Sequence, residues 1–160
     1  MPTETLRFVP MRPDVITGET TVGRVVVTVK IENLGDVFDL RAGRRTPDEV
    51  RSIDVDDALV DTGCSTIGLP SRMIHDLGLI PSYRKPIRTV TGPAETTVYT
   101  AVALTIQGRT VVTDVFEIPD DLPVLIGQIP LEQTDFVIDP RTQSLIGNPA
   151  HGGEWVIECY

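Results

Sequence analysis

At 160 residues the chain has the length of one domain with its own core, and a hydrophobic content of 41% places it among ordinary globular proteins. Its 14 basic residues against 23 acidic ones leave a net charge of −9, a surface that repels phosphate backbones and anionic membranes, so neither nucleic acid nor a membrane is expected as a partner. Only two cysteines (Cys64 and Cys159), no leader-like start and no apolar run of membrane-spanning length point to a cytoplasmic protein with reduced thiols.

Taken in chain order, residues 1–21 read as an N-terminal segment that includes Leu6 to Val9. The folded domain is expected over 22–148. From Arg24 to Ile31, Val25, Val27, Val29 and Ile31 alternate with Arg24, Thr28 and Lys30, the pattern of a half-buried strand. Residues 36–52 hold Asp36, Asp39, Asp48 and Glu49 against Arg41, Arg44, Arg45 and Arg51, with Gly43 and Pro47; they are expected to form an exposed loop insertion. Ile53 and Val55 alternate with Asp54 and Asp56 before the continuous apolar run Ala58-Leu59-Val60, a strand that enters the core.

One short helix is expected from Ser71 to Leu77, with Met73, Ile74 and Leu77 on one face and Gly78 as its left-handed stop. A turn at Thr91-Gly92-Pro93-Ala94 leads to a strand from Thr97 to Ile106, and Gln107-Gly108-Arg109 turns the chain into Val111–Phe116. Leu122–Ile126 is an apolar run ending at Gly127, and Phe136-Val137-Ile138 comes after it. In the tail, 149–160, a Gly152-Gly153 hinge precedes a strand-like stretch. There Trp155, Ile157 and Cys159 share one face, and Val156, Glu158 and Tyr160 the other. The class is all-β.

The most informative triplet is Asp61-Thr62-Gly63, at the end of Ala58-Leu59-Val60 and before Cys64-Ser65-Thr66. A strand that runs into such a turn fixes a carboxylate by backbone geometry. Brought beside a second carboxylate, it can activate water for hydrolysis. The sequence has no other Asp-Thr-Gly or Asp-Ser-Gly, so the second carboxylate must come from another copy of the chain.

These pieces resemble the retropepsin-like aspartic proteases, the retroviral type, in a compact single-domain form. The resemblance rests on the apolar prefix with Asp61-Thr62-Gly63, Leu69-Pro70 leading into a helix that ends Leu77-Gly78-Leu79, and Leu125-Ile126-Gly127, all in the family's order over roughly residues 22 to 140. It implies a closed barrel with one short helix per subunit, and a homodimer that hydrolyses peptide or protein substrates with no cofactor and no metal. Asp61 would be the catalytic residue, with Thr62, Gly63 and Gly127 in support: the Thr62 hydroxyl bonding across the dimer, Gly63 allowing close approach and unusual dihedrals, Gly127 letting a second loop pass near the first. Thr91, Gly92, Pro93 and Ala94 stand where the family carries its substrate-covering flap; an ordinary turn is the alternative there. By the same resemblance the tail, with Leu6 to Val9, would cross to the partner as a strand; packing back on its own subunit is the other reading.

The chain departs from the family at Cys64, where Ala is usual and where a thiol brings the prospect of oxidation. Gln128 stands where a charged residue or Asn is common, and Pro130 is expected to interrupt the helix that usually comes next. Two rival functions remain on sequence. One is a binding or dimerisation module with the same fold and an inactive site. The other is a metal-dependent phosphohydrolase using Asp54 and Asp56 with Asp57, disfavoured by the scarcity of helices and by the exposed-strand pattern of these acids. His75 and His151 read as surface residues, and no histidine accompanies Cys64 in a protease motif.

Overall fold

The computed structural model describes residues 23–160, so the N-terminal segment, with its expected interface strand, lies outside the described residues. Among the described residues nine strands build the fold: β1 (Val26–Asn33), β2 (Ser52–Val60), β3 (Ile67–Pro70), β4 (Pro81–Thr89), β5 (Gly92–Ile106), β6 (Arg109–Ile118), β7 (Leu125–Ile126), β8 (Phe136–Asp139) and β9 (Ser144–Gly147). The main sheet runs β1-β2-β7-β3-β6-β5-β4, and β1 also pairs with β5, from Val29 opposite Ile106 to Asn33 opposite Val102. That pairing closes six strands into a barrel. Closure leaves the barrel strands without free edges, and β4 alone extends outward as the second arm of a hairpin with β5.

The alternating apolar residues fill the barrel as their period requires. Val29, Ile31, Leu104, Ile106, Ile67, Leu69 and Ile126 are all essentially inaccessible to solvent. In β5 the register shifts between Tyr99 and Val102, a bulge that bends this long strand where the hairpin leaves the barrel. Pro86, Arg84, Lys85 and Arg88 lie on the exposed edge strand β4, where missing donors and charges discourage further pairing.

Several expectations are corrected. The single short helix becomes three among the described residues: α1 (Leu34–Arg41), α2 (Ser71–Asp76) and α3 (Gln128–Thr134). And 36–52 is not a bare exposed loop. Asn33 caps α1 by accepting the Asp36 N–H at 3.1 Å, while its own amide donates to the Leu77 carbonyl at 2.8 Å, tying α1 to the end of α2. Asp36 is buried and accepts three hydrogen bonds from Arg51: the backbone N–H at 3.0 Å, Nε at 2.7 Å and Nη2 at 2.8 Å. Gly78 ends α2 at φ +60, and the Arg51 guanidinium lies against it where a Cβ would stand.

Pro130 does not interrupt α3; it occupies the third helical position. An N–H there has no partner within the helix in any case, so proline costs little. The tail also departs from its strand-like pattern. Residues 154–160 form no strand, and the Trp155 indole N–H donates to the Gln133 carbonyl at 2.9 Å, so in the single chain the tail lies on its own α3.

Candidate active site

Asp61 is delivered by β2. Leu59 and Val60 pair in parallel with Leu125 and Ile126 of β7, and one residue on the Asp61 N–H donates to the Ile126 carbonyl at 2.9 Å. The Cys64 N–H then donates back to the Asp61 carbonyl at 3.0 Å and closes the turn. The position of the aspartate is thus set by main-chain bonds on both sides.

Its carboxylate is held by two donors from its own loop. Oδ1 accepts the Gly63 N–H at 2.9 Å, and the Cys64 thiol approaches Oδ2 at 3.4 Å. Asp61 is half-buried, and among the described residues no Lys, Arg or His lies within ion-pair distance of it. Burial pushes the Cys64 thiol up to about 12, and the neighbouring Asp61 charge and the hydrogen bond to it act in the same direction. Cys64 therefore stays a neutral S–H donor at physiological pH rather than a nucleophilic thiolate.

Gly127 carries the closest backbone approach at the site. A Cβ there would lie 2.7 Å from the Cys64 carbonyl oxygen and would run into that of Thr66. Its φ of −86 is ordinary, so closeness and not conformation demands glycine. Beyond it, the Gln128 and Ile129 N–H groups donate to the Cys64 and Ser65 carbonyls, both at 2.9 Å. The free donors at the start of α3 thus brace the loop that carries Asp61, a link that nothing in the side-chain pattern announces.

Gly63 is likewise absent from the left-handed region, so the expectation of unusual dihedrals is corrected: a Cβ there would lie 3.0 Å from Asp61 Oδ1 and crowd the carboxylate. Thr62 is exposed and makes no side-chain hydrogen bond to the described residues of its own chain. Thr66 fastens the far end of the loop, its hydroxyl sharing a 2.8 Å hydrogen bond with that of Thr113 and another with the Asp114 carbonyl.

The expected flap residues fall on the β4–β5 hairpin. Thr91 sits in the turn, while Gly92, Pro93 and Ala94 begin β5. Gly92 has φ +123, a conformation open to glycine, and the Thr89 hydroxyl donates to its carbonyl at 2.8 Å. The tip is exposed, with Val90 78% accessible. Asp54, Asp56 and Asp57 lie exposed on β2, and among the described residues no group of three or more His, Cys, Asp or Glu side chains is arranged to hold a metal ion. His75 is at the surface as expected, but His151 is not a free surface residue: it bonds to Asp135 and Glu158. Comparison of the sequence with family models and with curated proteins finds no match in either set.

Proposed function

We propose that the protein is a homodimeric aspartic endopeptidase, each subunit supplying Asp61 to one shared site. The observation that carries this reading is a half-buried carboxylate at the end of a core strand, fixed by backbone on both sides and facing no cation among the described residues, in a chain with a single Asp-Thr-Gly. In a dimer, two such carboxylates at close range cannot both ionise and share a proton; aspartic proteases are the standard example of this splitting. The ionised member takes a proton from a bound water, and that water attacks the peptide carbonyl. The protonated member polarises the carbonyl and later gives its proton to the leaving amine. Neither a metal nor a covalent intermediate enters the scheme.

Thr62, exposed beside Asp61, has the hydroxyl to bond across a two-fold axis, and the hairpin tip at Val90–Gly92 is the part of the fold suited to cover a bound peptide. The test is Asp61→Asn. The variant should fold and associate like the wild type and hydrolyse no peptide, while a chelator leaves wild-type hydrolysis unchanged. Undiminished cleavage by purified Asp61→Asn refutes the mechanism. A wild type that cleaves nothing while still forming dimers supports the binding-module reading instead.

A further inference from the structure

Away from Asp61, the tail is fastened by a cluster that the proposed chemistry does not use. Asp135 caps α3 in the left-handed conformation (φ 54), and its carboxylate takes the Asn148 amide at 3.0 Å, the Val156 N–H at 3.3 Å and His151 Nδ1 at 2.6 Å. The other ring nitrogen of His151, Nε2, lies 2.9 Å from Glu158 Oε1. Both imidazole nitrogens therefore face carboxylate oxygens, which only accept. A neutral imidazole has one N–H and would set a lone pair against one of these oxygens; an imidazolium satisfies both.

We propose that His151 is a proton-operated latch: as an imidazolium it bridges Asp135 and Glu158 and holds residues 154–160 on α3, and on losing its proton it lets them go. The other ties of this segment are the Trp155 indole on the Gln133 carbonyl, the Val156 N–H on Asp135 and the Glu154 N–H on the His151 carbonyl at 3.1 Å; just before it, the Arg109 guanidinium donates to the Gly153 carbonyl at 2.5 Å. The charged and titratable groups around the ring are Asp135 from α3, Glu158 and Tyr160 from the tail, and Arg109 from β6. Tyr160, together with His151, acts to lower the pKa of Glu158. Arg109 is committed to the Thr134, Asp135 and Gly153 carbonyls and to the Phe136 ring face at 4.4 Å.

The hydrogen bonds to Asp135 and then Glu158 raise the pKa of His151 above its ordinary 6.5, and the bonds to His151 lower those of both carboxyls. A raised histidine supports the latch fully below its ordinary value and ceases to do so as the pH climbs through the raised one. The lowered carboxyls support it above their ordinary range and fail in acid. The latch is closed in mildly acidic solution and opens on the alkaline side of 6.5.

Trp155 is the only tryptophan, so its fluorescence reports on the latch alone. Collisional quenching by acrylamide should be followed across the range from mildly acidic to mildly alkaline, with circular dichroism recorded alongside to confirm an unchanged fold. Trp155 is 45% exposed when docked, so release should raise the quenching constant about twofold, with a midpoint above the ordinary histidine value. His151→Gln should remove the transition and quench at the released level throughout. Glu158→Gln, a change in the tail that leaves the barrel untouched, should move the midpoint downward. A flat wild-type curve, or the same transition in His151→Gln, overturns the proposal. No step depends on hydrolysis, so the result stands apart from the protease reading.

Discussion

Asp36 and Asp61 are both aspartates just beyond the end of a barrel strand, in opposite surroundings. Asp36, 2% exposed in the first turn of α1, is bound by Arg51 on three sides with Arg45 3.3 Å away. Asp61 is half-buried, receives one backbone N–H and one weak thiol donor, and meets no cation among the described residues. A carboxylate that serves the fold is neutralised where it stands. One left without a cation at the end of a core strand is open to a water or a second carboxylate.

The largest effect is expected from the backbone that holds Asp61 in place. Gly127→Ala drives a Cβ into the Thr66 and Cys64 carbonyls, and neither can move without dragging the loop that carries Asp61. Urea unfolding should show a loss of ~2–3 kcal/mol, with hydrolysis lost as well. A variant of wild-type stability would mean that the contact between α3 and the loop is slack.

Next comes the neutralised aspartate. Asp36→Asn removes charge-assisted bonds from a buried site and should cost about 1–3 kcal/mol at neutral pH. The Arg51 hydrogen bonds hold the Asp36 carboxyl down from 3.8 to about 2. Because the folded value is depressed, its stabilisation is complete above 3.8 and disappears as the pH falls through about 2. Denaturation curves at descending pH should therefore show wild type and Asp36→Asn converging in that interval. A gap that persists below it would assign the cost to packing instead of charge.

The smallest effect lies at Cys64. Its thiol is held up at about 12, so iodoacetamide at mildly alkaline pH should modify the exposed Cys159 and spare Cys64, as read by peptide mass spectrometry. Cys64→Ala should cost less than about 1 kcal/mol, since only a weak donor and a small volume are lost. Rapid labelling of Cys64 in the folded protein would show that the Asp61 turn opens.

Residues governed by a period or a motif were legible in the sequence. Val25, Val27, Val29 and Ile31 lie on a buried face as their alternation requires, Gly78 ends its helix at positive φ, and Asp61 emerges from a core strand. The stretch 36–52 was illegible because its organising residue is a buried aspartate whose partner lies 15 positions on; charge density in a sequence looks the same whether the charges face water or each other. Pro130 misled because its cost depends on its helical position, set by where Gly127 meets the loop. The tail misled for a related reason: alternation suggested a strand, but Trp155 and Val156 find partners on α3. His151 looked like an ordinary surface residue because Asp135, which makes it part of a cluster, comes from the preceding helix cap.

If one chain holds only half a site, catalysis must depend on how many chains have met. Specific activity on a peptide substrate should be measured over a dilution series, with the association state of the same samples determined by sedimentation. Activity should fall in step with the dimer fraction and vanish in the monomer. A monomer that keeps full activity at high dilution would contradict a site shared between two Asp61 carboxylates.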